Sequence, residues 1–286
     1  MQLVSSAGLV ASSARSLAPF KLYQPASLAE ALAALAGADN PVPLAGGTDL
    51  VACFNEGLNP RAIVDLARIK ELRSIEADSR LLDVGAGVTH GAGSVHAAVR
   101  SRAPGFAKAW VRIANPRIRF TATLGGNLMA RRARYEGPVL LAALEASLEF
   151  ANAAGTHSLT LPDLWAGRAP PQSLLIRIRI DTAGLLWYSY ERSMRPLITL
   201  ATSLYRSADG MRLRCAVATE YLQPVVLELA LPVTDLAQMA LAASTIARDE
   251  FAQLPASFAD PVVTHSYAVA AGTALLSRQL AGASHG

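Results

Sequence analysis

Two short glycine pairs carry most of the chemical information in this 286-residue sequence. The first lies in Leu44-Ala45-Gly46-Gly47-Thr48-Asp49-Leu50, directly after the apolar run Pro41–Leu44. Glycines after a strand let the backbone turn tightly and reach positive φ, with no Cβ to hold off an incoming ligand. Successive N–H groups can then face one concavity, a nest for anionic oxygens. The Thr48 hydroxyl can donate to a phosphate, and a helix starting there would add its positive end. Thr123-Leu124-Gly125-Gly126-Asn127 repeats the arrangement further along, with the Asn127 amide as an extra donor. One such element is more often an ordinary tight turn. Two of them point to a shared diphosphate ligand, although neither matches the G-x-G-x-x-G dinucleotide turn or the P-loop.

The other reactive side chains argue against alternative chemistries. Cys53 and Cys215 are far apart and form no C-x-x-C pair, so the chain cannot supply four thiolates to an iron–sulfur cluster. They are expected to stay reduced, which fits a cytoplasmic protein. His90 and His96 have no His, Cys or carboxylate at metal spacing, and Ser94-Val95-His96 lacks a nucleophile-elbow context. Neither metal ligation nor triad chemistry is expected of them. Trp110, Trp165 and Trp187 read as packing or interface residues, and His265 and Tyr267 as the packed start of a terminal helix. The net charge of +4 is dispersed, with its densest cluster at Arg131, Arg132 and Arg134 after Arg117 and Arg119. Nucleic-acid binding would want a longer basic stripe with aromatics interleaved; a dianionic small molecule suits this charge better.

The glycine pairs need a scaffold, and the composition provides for one. Hydrophobic residues make up 52% and charged residues 17% of the chain, a balance that argues against disorder. So apolar a chain also suggests surface buried against partner subunits. No apolar run reaches the roughly 18 residues of a membrane span. Residues 1–18 are rich in Ser and Ala and read as a ragged extension, not a secretory signal.

Ordered structure is expected from Pro19. Ser27-Leu28-Ala29-Glu30 has the form of a capping box opening a helix to about Leu35, stopped by Gly37. Strands are expected at Pro41–Leu44, Ala62–Leu66 and Leu81–Val84, the last entering the Gly85-Ala86-Gly87 turn. Helical patterns cover Gly93–Val99, Phe106–Ile113 and Pro138–Leu144, and strands follow at Ser147–Asn152, Ser158–Leu161 and Leu174–Ile180. Beyond a boundary near Asp181–Gly184 the rhythm changes. Leu185–Tyr190, Ile198–Tyr205, Arg212–Val217 and Val225–Leu231 suit an antiparallel sheet, followed by helices at Leu236–Ala247 and His265–Leu280. Strands first and helices afterwards indicate an α+β unit after a mixed α/β first half.

With these elements in place, the sequence resembles the flavin-binding medium subunit of the xanthine dehydrogenase and carbon monoxide dehydrogenase family, the molybdenum hydroxylases. Ala45–Leu50 and Thr123–Leu128 are similar to that family's two FAD-binding loops. Pro19–Pro25 with Ser27–Ala31, Ile63–Leu66 through Ile75, Val84–Thr89 and Ile118-Arg119 resemble the family's flanking segments. The likeness covers about residues 19–286 and is weaker past 181. It implies a PCMH-type FAD-binding domain over 19–181, built of two α/β subdomains (19–68 and 69–181) with non-covalent FAD between them, and a smaller C-terminal α+β domain over 182–286. By the same resemblance, backbone N–H groups of the first loop and of Gly125–Gly126 hold the pyrophosphate. Glu136, two residues before Pro138, stands in for an acidic residue that binds cofactor hydroxyls. Tyr190 resembles an aromatic position near the isoalloxazine, and Arg192 stands where Lys is frequent.

The molybdenum cofactor and [2Fe-2S] clusters are then expected only in partner chains, a large molybdopterin-binding subunit and a small iron–sulfur subunit. Together they would form a heterotrimer or a dimer of heterotrimers. Three departures from the family pattern stand out: the basic stretch 129–135, and Pro116 and Phe120 around Ile118-Arg119. Retained flavin is favoured because both glycine pairs are intact. Two other readings stay open: a scaffold subunit that has lost its cofactor, and a free-standing flavin oxidase, which would need a catalytic base or covalent attachment that the sequence does not show.

Overall fold

The computed structural model describes residues 18–132, 135–193, 197–208, 210–218, 223–231, 249, 251–254 and 264–283. The helix expected over Leu236–Ala247 lies outside them, as do residues 1–17 of the expected extension.

The chain opens with a three-stranded parallel sheet, β1 (Lys21–Tyr23), β2 (Pro41–Leu44) and β3 (Ala62–Asp65), in the order β1-β3-β2. Two prolines in β2 are tolerated because it is an edge strand, where a missing N–H costs no ladder bond. Helix Leu28–Gly37 crosses from β1 to β2 and starts as expected. The Ser27 hydroxyl accepts from Glu30 N at 3.3 Å, while the Glu30 carboxylate reaches Ala26 N at 2.8 Å, one residue short of the reciprocal bond of a full capping box. Ala31 and Leu35, four apart and so on one face, pack against Val64, Leu66, Ile69 and Leu72.

A five-stranded antiparallel sheet follows, made of β4 (Ile75–Ala77), β5 (Leu81–Gly85), β6 (Ser147–Asn152), β7 (Gly155–Thr160) and β8 (Leu174–Asp181), in the order β4-β5-β8-β6-β7. Between β5 and β6 runs a series of short helices: His90–Val95, Ala97–Arg102, Pro104–Trp110, Pro116–Thr121, Leu124–Met129 and Glu136–Ala143. The continuous helix expected over Gly93–Val99 is broken at His96. This residue is extended (φ −63°, ψ 135°), and its Nδ1 accepts from Ala98 N at 3.3 Å, so it caps a new helix instead of continuing the old one. Pro138 lies in the first turn of its helix, where its lost N–H does no harm. That helix is buried from Gly137 to Ala143, and each of its larger side chains contributes ~1.5–3 kcal/mol on burial.

The last sheet is antiparallel in chain order, β9 (Leu185–Arg192), β10 (Thr199–Ser207), β11 (Gly210–Ala218) and β12 (Val225–Leu231). Strand alternation sorts β10 onto two faces. Leu200 and Leu204 join Leu213, Cys215, Phe251 and Leu276 under helix His265–Ala283. Ala201 and Ser203 face the other way, and the Ser203 hydroxyl donates to the Ala143 carbonyl at 2.5 Å. The sheet is thus held from behind by the long helix and presents β9 and β10 to the first half of the chain. Buried Thr202 donates to Gln279 Oε1 at 2.6 Å, and Gln279 Nε2 donates to Leu200 O at 3.1 Å, which pins the helix in register. Among the described residues no helix is long and apolar enough to cross a membrane.

Candidate functional site

A cleft of about 650 Å³ is lined on one side by the ends of the parallel sheet and on the other by the turns and helices that follow β5. Its size falls within the range of small-molecule and cofactor sites, ~300–1,000 Å³. Ala45, Gly46, Gly47, Thr48, Asp49, Leu50, Thr123, Gly125, Gly126, Asn127 and Glu136 all line it. Leu44 does not; its side chain packs beneath Gly47.

The first loop behaves as its composition suggests. Gly47 has φ +73°. Gly46 lies so close to Thr121 and Ala122 that a Cβ there would meet the Thr121 carbonyl. Glycine is therefore needed twice, once for conformation and once for close approach. Among the described residues, no backbone N–H from Gly46 to Leu50 donates to another part of the chain, and the Thr48 hydroxyl has no partner. Asp49 would ordinarily cap helix Leu50–Asn55, but it makes no cap bond. Its carboxylate is drawn aside instead. Arg132 Nε and the Tyr135 hydroxyl both donate to Asp49 Oδ1 at 3.0 Å.

The second glycine pair is different, and the expectation of a repeated nest is corrected here. Gly125 and Gly126 lie inside the first turn of helix Leu124–Met129, and neither has positive φ. Their N–H groups are engaged by the chain: Gly125 N donates to Ala86 O at 2.9 Å and Gly126 N to the Thr123 hydroxyl at 3.0 Å. Leu124 N is likewise given to Val88 O. Thr123 acts as an N-cap, a stronger local preference than the turn-forming tendency of a Gly–Gly pair. A Cβ on Gly125 would meet Ala86, so this glycine permits docking onto the strand exit rather than a nest. Thr123→Ala is expected to destabilise the chain by about 1 kcal/mol, read from the urea midpoint, whereas Thr123→Ser should be close to neutral. Asn127 Oδ1 accepts from Gly137 N at 3.1 Å, which fixes the amide so that Nδ2 remains a donor.

Glu136, Tyr190 and Arg192, nominated from distant parts of the sequence, meet in space. The Tyr190 hydroxyl and Arg192 Nη1 both donate to Glu136 Oε1, at 2.6 and 2.8 Å. Glu136 lines the cleft, while Tyr190 and Arg192 stand behind it. Burial and the adjacent Glu136 carboxylate hold the Tyr190 hydroxyl well above its usual range, so it is a fixed donor. The pair occupies one carboxylate oxygen and leaves Oε2 without a partner among the described residues. Arg112 steadies Tyr190 in turn, donating to its carbonyl at 2.9 Å and lying 5.5 Å from its ring centroid.

The departure at 129–135 takes the form of a clasp. Arg132 Nη2 donates to Glu56 Oε2 at 2.8 Å and to Cys53 Sγ at 3.0 Å, in addition to the Asp49 contact. It ties helix Leu50–Asn55 to the segment after the second loop. Tyr135 is pushed up to about 12 by burial and by Asp49, and so stays a neutral donor in the clasp. Both cysteines are free thiols. Among the described residues no group of three His, Cys, Asp or Glu side chains is placed to hold a metal.

Leu66, Leu72 and Ile118, which the sequence marks only as parts of family-like flanking segments, line the cleft together with Ala67, Ile113 and Ser173–Leu175. All but Ser173 are apolar, and they form apolar walls of the cleft. Gly87 and Thr89, from the turn noted after β5, also reach the cleft. So does His90, which is fully buried and whose Nδ1 accepts from Trp110 Nε1 at 2.8 Å. The arrangement as a whole offers unpaired N–H donors for a diphosphate, an acceptor and an amide for hydroxyls, and apolar walls. These residues fit a dinucleotide cofactor.

A family model described as the FAD binding domain in molybdopterin dehydrogenase matches residues 18–181. The nicotinate dehydrogenase FAD-subunit of Eubacterium barkeri is 30% identical over 151 residues, 52% of this chain and 51% of that protein. The carbon monoxide dehydrogenase medium chain of Afipia carboxidovorans is 29% identical over 191 residues, 64% of this chain and 66% of that one. The chain thus spans about half the length of the first of these relatives and about two thirds of the second. Among solved structures, quinoline 2-oxidoreductase from Pseudomonas putida 86 has the same fold, with a TM-score of 0.77 over 95% of this chain and 99% of that one at 24% identity.

Proposed function

The chain belongs to the family of FAD binding domains in molybdopterin dehydrogenases, and from that membership we propose that it is the FAD-carrying, electron-transferring medium subunit of a molybdenum hydroxylase-type dehydrogenase. The observation that carries this reading is that, among the described residues, the N–H groups from Gly46 to Leu50 and the Thr48 hydroxyl have no partner, and that these residues line the cleft. Anionic oxygens are the complement of such a row. These groups would hold the pyrophosphate of non-covalent FAD. Glu136 Oε2 would accept from cofactor hydroxyls and Asn127 Nδ2 would donate. Tyr190 and Arg192 act through Glu136, holding its carboxylate in place. When bound, the isoalloxazine supplies the redox chemistry, and the protein's share is placement, exclusion of water and tuning. No general acid or base is required of the chain.

The clasp of Arg132 and Tyr135 on Asp49 leaves the Gly46–Leu50 donors open, which supports a retained cofactor over a flavin-less scaffold. Substrate oxidation is assigned to a large molybdopterin-binding subunit. Electrons reach this chain through a small [2Fe-2S] subunit and leave for an external acceptor, in a heterotrimer or a dimer of heterotrimers in the cytoplasm. Names such as medium chain and FAD-subunit among the relatives support this placement. The test is anaerobic addition of substrate to the assembled complex. Bleaching of the flavin band together with the iron–sulfur bands is expected; bleaching of the iron–sulfur bands alone, with full activity towards the acceptor, would contradict the role.

A further inference from the structure

Among the described residues, two carboxylates line the cleft, Asp49 and Glu136. Both are met by the same pair of side-chain types. Arg132 Nε and the Tyr135 hydroxyl each donate to Asp49 Oδ1 at 3.0 Å, just as Arg192 and Tyr190 donate to Glu136 Oε1. The second oxygens differ. Glu136 Oε2 has no partner among the described residues, whereas the Cys53 thiol donates to Asp49 Oδ2 at 3.5 Å. Glu136 therefore keeps one oxygen for a ligand, and Asp49 has both engaged by the chain.

An acidic residue within Gly46–Leu50 is at odds with a loop that holds an anion. Its charge opposes a diphosphate, and a loose Asp carboxylate competes for backbone N–H groups in its own turn. The N–H groups of that turn are the ones without a partner. The clasp answers both conflicts. The Arg132 guanidinium offsets the charge, and the pair is only partly exposed (37% for the Arg132 side chain, 23% for Asp49), so salt screens it less than a surface pair. Tyr135, kept neutral because burial and Asp49 push its hydroxyl up to about 12, adds a second fixed donor. Arg132 does not line the cleft, and its Nη2 is given to Glu56 and Cys53. Its route to a ligand in the cleft runs through Asp49, which does line it.

We propose that Arg132 is a positioning residue for FAD: it neutralises the Asp49 carboxylate and, with Tyr135, holds it off the backbone N–H groups of its own loop, which stay free for the pyrophosphate. The proposal rests on the functional reading above. It gives the Asp49 side chain the part of a charge that must be offset, not of a ligand to the cofactor.

The test is a double-mutant cycle on the full-length apo chain, read by FAD titration with flavin fluorescence and accompanied by thermal unfolding of each variant. Arg132→Gln is expected to weaken FAD binding about tenfold (~1.4 kcal/mol) when Asp49 is present, and by less than about threefold in the Asp49→Asn background. Asp49→Asn alone keeps an oxygen for Arg132 and Tyr135 and is expected to bind FAD at least as tightly as the wild type. Tyr135→Phe removes one donor and no charge, so its loss is smaller, about threefold, and it too vanishes in the Asp49→Asn background. A clasp that only ties the chain together gives the opposite sign: Asp49→Asn would lower both Tm and affinity, and would rescue neither variant. The proposal is overturned by that result, by an Arg132→Gln variant that binds FAD as the wild type does, or by equal losses in both backgrounds. If Arg132→Gln does not fold, the Tyr135→Phe cycle decides in the same way. Wild-type protein that takes up no FAD would remove the functional reading and this proposal with it. Wild-type binding with equal losses in both backgrounds would remove the proposal alone.

Discussion

Gly46→Ala is expected to destabilise the chain by about 3 kcal/mol and to weaken FAD binding at least ~30-fold. A Cβ at this position would fall on the Thr121 carbonyl oxygen, 2.7 Å from the Thr121 carbonyl carbon and 2.8 Å from Ala122 Cα. All three are backbone atoms, so no side chain can swing aside. The segment they belong to cannot drift either. Ala122 N donates to Ile118 O at 2.8 Å at the end of helix Pro116–Thr121, and Ala122 O accepts from His90 N. The first loop would have to move instead, which displaces the residues Gly46–Leu50 that line the cleft. Urea denaturation and FAD titration check both effects. Gly37→Ala is the control, since a Cβ there meets nothing within 4 Å; it sits at the end of a helix and is expected to be neutral or mildly stabilising. Equal behaviour of the two variants would mean that the contact between the loops does not shape the site.

Acidification from pH 6.5 towards 4 is expected to remove about 3 kcal/mol of stability from the apo chain through His90 alone. The imidazole, ordinarily near 6.5, is held down to about 4 in the folded state by burial and by Arg119. Below 6.5 the unfolded chain therefore binds a proton that the folded chain refuses. The contribution is complete above the unfolded value and is lost as pH falls towards the folded one. The groups around the ring sharpen the effect. Trp110 offers only a donor, the Arg119 guanidinium is anchored on the carbonyls of Ile113 and Ala114, and among the described residues no carboxylate is hydrogen-bonded to the ring. The depressed carboxylates act lower: Asp163, held near 2 by bonds from Thr160 and Arg168, loses its contribution only below its ordinary 3.8. Denaturation midpoints measured at steps from pH 7 to 4 should fall steeply for the wild type and less steeply for His90→Asn. Parallel curves would show that His90 titrates normally and that its buried, neutral state is misassigned.

Local signals carried the elements that position the first loop. Strand Pro41–Leu44 and the Ser27 cap follow from short-range chemistry, and both are present where that chemistry places them. The second loop shows where local reading stops. Thr123-Leu-Gly-Gly-Asn127 has the composition of a turn, but the carbonyls of Ala86 and Val88, contributed by a separate strand exit, take its N–H groups and favour a helix start. Glu136, Tyr190 and Arg192 could be nominated by resemblance, whereas their convergence on one carboxylate oxygen depends on side chains of β9 reaching helix Glu136–Ala143, which packs on β10 and β11. The Arg132 clasp likewise joins residues distant in sequence, and charge clustering alone could not show that its partners would be Asp49 and Glu56. The sequence does not mark the apolar walls as a site, because Leu66, Ile113 and Leu174 read only as ends of expected elements until the fold brings them to one cleft. His90 has no metal-ligating neighbour at sequence spacing, and its pairing with Trp110 arises only in the folded chain.

The most direct measurement is the absorbance spectrum of the purified native chain, followed by denaturation and identification of any released flavin. The account predicts a yellow protein that releases FAD at about one per chain on unfolding, as expected for a non-covalent cofactor. A colourless protein that also takes up no added FAD would contradict it, and would leave the cleft and its row of N–H donors to some other anionic ligand.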